Sequence, residues 1–188
     1  MPRLFVAIDL PERIRGDVSS LYEAIHGASW TPEDNLHLTL RFIGEADGDA
    51  IQRIDSALRS VEFKPFTMRL KSTGFFPPRG QPKILWCGVA RNEELLSLQK
   101  QTERALTSKA SLPPQDRKFS PHITIARLKD SPEQKLAQFL TTNALFETEN
   151  LTVSKITLYS SLLKRDGAVY TKEAEYEVAV LEGTMPII

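Results

Sequence analysis

With 188 residues, 41% of them hydrophobic and 26% charged, the chain has the size and composition to bury a core as one compact domain or two intimately packed lobes, and disorder is not the expectation. Its 24 lysines and arginines equal its 24 aspartates and glutamates, so no global positive field exists for wrapping a long nucleic acid, and any such contact has to be local. The single cysteine, Cys87, rules out an intramolecular disulfide and every zinc pattern that needs two thiolates.

No run approaches the roughly 18 apolar residues of a membrane span. The apolar stretch Leu4 to Ile8 is followed at once by Asp9, Pro11 and Glu12, so it reads as a first strand and not as a signal peptide. A cytoplasmic protein with no membrane partner is expected. After the strand Arg3 to Leu10, Val18, Leu21 and Ile25 continue from Ile14 at helical spacing, which predicts a helix ending near His26, before Gly27. Asn35 to Gly44 alternates Leu36, Leu38, Leu40 and Phe42 with His37, Thr39 and Arg41, a strand with one apolar face and one polar face. That alternation places Phe42 in the core and Arg41 on the polar face.

A second helix is expected after Asp47, with Ile51, Ile54, Leu58 and Val61 as its buried stripe. Phe66 to Phe75 and Lys83 to Ala90 read as paired strands around the turn Pro77-Pro78-Arg79-Gly80. Asn92 is placed to cap a third helix running to about Ser108, and the polar stretch Ser111 to Lys118 leads into a strand from Phe119 to Leu128. A fourth helix from about Pro132 to Thr142 precedes two strands, Leu151 to Leu163 and Ala168 to Val178, about the turn Arg165-Asp166-Gly167. Strands and helices mix without regular parallel alternation, which predicts an α+β fold with antiparallel sheet.

Two tetrapeptides repeat, His37-Leu38-Thr39-Leu40 and His122-Ile123-Thr124-Ile125, at a separation a little under half the chain. In a strand, positions i and i+2 share a face, so each motif presents one imidazole and one hydroxyl with hydrophobic residues behind. A lone half-buried histidine is usually a satisfied strand residue, but two copies at this spacing predict two similar halves whose histidines meet in one cleft. Two imidazoles, with an ordinary pKa of about 6.5, supply an acid and a base near neutral pH, the pair that in-line displacement at a cyclic phosphodiester requires, and no metal is needed. Thr39 and Thr124 are then donors to the nonbridging oxygens.

These motifs and their flanks resemble the two-histidine phosphoesterases, specifically the bacterial and archaeal RNA 2′,3′-cyclic phosphodiesterases once named 2′-5′ RNA ligases. The resemblance extends over RLFVAIDLP, NLHLTLRFIG, GFFPPRGQPKILWCGV, SPHITIARLK and ITLYSSLLKRDGAVY, and so over nearly the whole chain. It implies a single bilobal domain over residues 1–188, α+β with pseudo-twofold symmetry, antiparallel sheets, outer helices and a central groove. It also implies hydrolysis of a terminal 2′,3′-cyclic phosphate to a 2′-phosphomonoester, with His37 as proton donor and His122 as proton acceptor. No metal or cofactor is implied. The partners would be RNA ends such as tRNA fragments, the enzyme a monomer, and reverse 2′-5′ joining a side activity. A small nucleotide or ADP-ribose cyclic phosphate, or RNA-end binding without turnover, are the alternative functions.

Arg41 and Arg127 are candidates to bind phosphate. Phe119, just ahead of the second motif, is the preferred candidate to stack on a terminal base; Phe42, Phe76 and Tyr159 are further candidates, with core packing their ordinary fate, most of all for Phe42 on the apolar face. His26 is expected at an exposed helix end and Cys87 in the core.

Overall fold

Ten strands and four helices follow one another in the computed structural model, which describes residues 3–164 and 167–177. The first part of the chain forms β1 (Arg3–Asp9), α1 (Glu12–Ser19), β2 (Ala28–Trp30), a 3-10 turn (Glu33–Asn35), β3 (His37–Glu45), α2 (Gly48–Leu58) and β4 (Phe66–Met68). The remainder forms β5 (Leu70–Phe76), β6 (Ile84–Val89), α3 (Glu93–Lys109), β7 (His122–Leu128), α4 (Glu133–Thr142), β8 (Leu151–Val153), β9 (Lys155–Lys164) and β10 (Gly167–Glu177). Asp47 and Asn92 start α2 and α3, their side chains accepting from the backbone N–H of Ala50 and Leu95, both at 2.8 Å.

The main sheet has the order β10-β9-β1-β3-β7-β6-β5, every pairing antiparallel, with β2 added beside β7. Its two central strands are the two that carry the repeated motif. On either side of them the sequence β1-α1-β3-α2-β4 matches β6-α3-β7-α4-β8 element for element, apart from the inserted β2 and 3-10 turn, and β4 pairs with β8 in a separate small sheet. The strand that follows β4, β5, joins β6, whereas the strand that follows β8, β9, joins β1. Each set of motif strands is thus completed by the strand that follows the other set's five matching elements.

The core lies behind the motif strands. Leu38, Leu40, Ile123 and Ile125 are at most 1% exposed, and they pack with the buried stripes of the helices, including Ile54 and Leu58 of α2, Leu95, Leu98 and Leu106 of α3, and Leu136 and Phe139 of α4. Cys87 is buried there too, and burial raises its thiol pKa to about 12, so it packs as a small hydrophobe. Among the described residues no helix is long and apolar enough to cross a membrane.

Two elements differ from expectation, the first for a local reason. The first helix ends at Ser19 instead of near His26: the Ser19 and Ser20 hydroxyls donate to the carbonyls of Gly16 and Asp17, offering the backbone an alternative to the helix. Tyr22 then stacks on Trp30 at 4.5 Å and its hydroxyl donates to Thr31 O, turning the chain back into β2. The apolar segments read as Phe66 to Phe75 and Leu151 to Leu163 each break at a single residue, Arg69 and Ser154, into strands of different sheets. Of the last hairpin, Arg165, Asp166 and Val178 lie outside the described residues.

Candidate active site

The two motif strands touch at one backbone pair, Leu38 with Ile123. Both of these side chains point into the core, so His37 and Thr39 of β3 and His122 and Thr124 of β7, all half-buried, share the opposite face. Extending the antiparallel register by one residue sets His37 across from Thr124 and Thr39 across from His122. The four polar side chains of the repeated motif therefore meet at the centre of the sheet, close enough for the charge of His122 to be felt at His37.

The two rings are fixed alike. His37 Nδ1 lies 2.7 Å from the Asn35 carbonyl and His122 Nδ1 lies 2.7 Å from the Ser120 carbonyl, in each case the residue two positions earlier. A carbonyl oxygen only accepts, so each Nδ1 carries a proton and Nε2 is left as the nitrogen that gains or loses one. Each ring also has an aromatic neighbour: Phe5 lies 4.9 Å from His37, and Phe76 meets His122 edge-on at 5.0 Å.

The surroundings of His37 are the more enclosed. Tyr170 of β10 meets it edge-on at 5.3 Å, Tyr159 of β9 stacks on Phe5 at 5.3 Å, and Asn35 Nδ2 donates to Ala168 O at 3.2 Å, tying the β9–β10 hairpin to the start of the motif strand. Burial in this aromatic setting holds the His37 pKa below the ordinary imidazole value, and His122 lowers it further. The hydrogen bond to Asn35 O and the carboxylate of Asp9 oppose that shift. Asp9 is the direct cross-strand partner of His37 and accepts from Tyr159 OH at 2.7 Å, Lys172 Nζ at 2.8 Å and Thr157 Oγ1 at 3.3 Å. Around it lies a cavity of about 380 Å³ lined by Asp9, Arg15, His37, Tyr159, Tyr170 and Lys172 among others.

On the side of His122, Trp86 is the cross-strand partner of Thr124 and Gly88 that of His122. The Trp86 indole lies against Gly74 so closely that a Cβ there would overlap its ring. Glycine at position 74 is what lets this wall form.

Strict alternation fails beyond each threonine, and it fails identically. Pairing skips Leu40 between Thr39 and Arg41, and skips Ile125 between Thr124 and Ala126, so each strand has a β-bulge at the third residue after its histidine. The bulge turns the next residue toward the core and the one after it toward the groove. Arg41, expected on the polar face, is thus 5% exposed; it donates to Pro113 O and its Nε lies 3.1 Å from Glu103 Oε2 on α3, an ionic contact not aligned as a hydrogen bond. Glu103 in turn accepts from Gln115 N at 2.9 Å, so Arg41 anchors the loop before the second motif instead of lining the groove. Phe42, expected in the core, is 63% exposed on the groove side, across from Phe5.

Arg127 occupies in β7 the position that Phe42 occupies in β3, exposed on the groove face, and its positive charge is felt at Tyr170. Phe119 is half-buried and packs against the core. Asp9, Trp86, Tyr170 and Lys172 escaped the sequence reading. The only trace of the last two is their two-residue spacing in a hairpin far along the chain from His37. Among the described residues no three histidine, cysteine, aspartate or glutamate side chains converge as a metal site.

Several relatives share most of the chain. It is 32% identical over 176 residues to a Thermotoga maritima protein named RNA 2′,3′-cyclic phosphodiesterase, covering 89% of this chain and 91% of that one. It is 34% identical over 180 residues to a Thermus thermophilus protein of the same name, covering 90% and 86%. Among solved structures, TT0787 of Thermus thermophilus superposes with a TM-score of 0.77 at 27% identity, covering 94% of this chain and 97% of that one. Escherichia coli LigT complexed with 3′-AMP has the same fold, with a TM-score of 0.76 at 24% identity and coverage of 95% and 99%. The family model of the 2′-5′ RNA ligase superfamily matches residues 10–165, a span that contains both bulged motif strands, and the chain belongs to that superfamily.

Proposed function

We propose that the protein is an RNA 2′,3′-cyclic phosphodiesterase that opens a terminal 2′,3′-cyclic phosphate to a 2′-phosphomonoester by metal-independent two-histidine catalysis. The observation that carries this is the pair of identically held imidazoles, each with a threonine beside it, flanking the Leu38–Ile123 pairing of β3 with β7. The names of the curated relatives support the substrate.

In this mechanism His122 Nε2 takes a proton from water as the water oxygen bonds to phosphorus. The bond from phosphorus to O3′ breaks on the opposite side, and the proton on His37 Nε2 passes to O3′, leaving the phosphate on O2′. Thr39 and Thr124 hydroxyls donate to the nonbridging oxygens, and the Arg127 guanidinium balances their charge through the pentavalent transition state. A 5′-hydroxyl in place of water gives a 2′-5′ linkage with the two histidines in the same roles, His122 taking the proton of the attacking hydroxyl and His37 protonating O3′. The chain is proposed to act as one domain whose two halves each supply a motif, as a monomer in the cytoplasm, on RNA ends such as tRNA fragments.

The test is an RNA oligonucleotide ending in a 2′,3′-cyclic phosphate, incubated with the protein in excess EDTA, with the product isomers separated by chromatography. Accumulation of the 2′-phosphate at substoichiometric enzyme is the expected result. Formation of the 3′-phosphate would reverse the roles of the two histidines, and loss of activity on chelation would overturn the metal-free mechanism.

A further inference from the structure

Phe42 is the one large aromatic side chain among the described residues that is mostly exposed, at 63%, while its neighbours in the motif strand are held in the core. The bulge at Leu40 is what directs it outward, and bulges beside active sites serve to re-aim side chains. Its ring lies 6.0 Å from Phe5, whose ring is 4.9 Å from His37, so the Phe42 ring is at most about 10.9 Å from the proposed proton donor, on the same face of the sheet. Phe5 itself is 3% exposed and has no face free for a ligand.

We infer that Phe42 is a stacking platform for the base of the nucleotide immediately upstream of the cyclic phosphate, and that the site is therefore built for RNA ends and not for mononucleotides. This rests on the phosphodiesterase reading. The leaving O3′ belongs to the terminal ribose, so protonation by His37 places that ribose on the β3 side of the groove, beside Tyr159 and Tyr170. The chain continues from this ribose through its O5′, and Phe42 is the next aromatic outward along the same strand. At the matching position of β7, where the attacking water and not an RNA strand approaches, the bulge presents Arg127, a phosphate ligand, instead of a ring. The same backbone device thus gives two different contacts, as an asymmetric substrate on a symmetric frame requires. An aromatic face accepts any base, so no sequence preference arises here.

The experiment compares kcat/KM for a ribodinucleotide ending in a 2′,3′-cyclic phosphate with the same molecule lacking its upstream base, using wild type, Phe42→Ala and Phe42→Tyr. Removal of the base costs the wild type and Phe42→Tyr about 5- to 150-fold, the range for one stacked base, and costs Phe42→Ala less than about twofold. An equal cost in all three proteins overturns the subsite while leaving the phosphodiesterase intact. Failure of the folded wild type to turn over either substrate overturns the phosphodiesterase reading, and this inference with it.

Discussion

Arg41→Met and Arg127→Met form a paired test of how the bulges divide labour, because sequence alternation gives the two arginines one role and the structure gives them two. Arg41 and Glu103 have side chains only 6% and 21% exposed, so removing the guanidinium leaves a carboxylate with little solvent and with the Gln115 N–H as its remaining partner. Breaking a buried pair on one side costs about 3 to 5 kcal/mol; the partial exposure of Glu103 puts this case near about 3 kcal/mol. For a chain of this size that is a fall in Tm of about 6 to 12 °C, read by thermal unfolding under circular dichroism. The activity of Arg41→Met, assayed well below its Tm, stays within a few-fold of wild type. Arg127 is exposed, so Arg127→Met changes stability by about 0.5 kcal/mol at most but lowers kcat about 10²- to 10³-fold, as loss of one transition-state donor does. A variant set in which Arg41→Met keeps its Tm and loses activity as severely as Arg127→Met would refute the assignment.

Further outcomes follow from the same site. Because burial lowers the His37 pKa and His37 must be protonated to act as donor, kcat/KM falls as pH rises through a value below about 6.5, and Asp9→Asn, which removes an opposing negative charge, moves this alkaline limb to still lower pH; a limb unmoved in Asp9→Asn would contradict that role. The same shift gives a stability signature: the unfolded chain takes up the His37 proton first, so the contribution is present above about pH 6.5 and is lost as pH falls toward the folded value, a loss absent from His37→Gln when the two are titrated by chemical denaturation. Gly74→Ala forces the Trp86 indole out of place, costs about 1 to 3 kcal/mol as overpacking does, and reduces kcat/KM by moving the wall beside Thr124; unchanged stability in urea denaturation would show that the wall yields freely.

The sequence made the histidine pair legible because a repeated tetrapeptide and its near half-chain spacing are visible without knowledge of pairing. The helix starts at Asp47 and Asn92 were legible for a related reason, a cap being a contact with the third residue beyond it. Arg41 and Phe42 were misplaced because alternation counts residues evenly, whereas the bulge at Leu40 is fixed by the register with β1, a partner distant in the chain. The ends of β4 and β8 hid a change of sheet at a single residue, which no local propensity marks. Asp9, Tyr159 and Lys172 form one hydrogen-bonded group only once the two ends of the chain have come together, so their association with His37 is a property of the sheet and not of any segment.

The most direct test of the account is a comparison of single-turnover rates on a cyclic-phosphate-terminated RNA for His37→Ala, His122→Ala and the double variant, each checked for a wild-type circular dichroism spectrum. If the two rings act as acid and base in one displacement, each single variant loses about 10²-fold or more and the double variant loses far less than the product of the two. Retention of near wild-type turnover by either single variant would contradict the two-histidine mechanism.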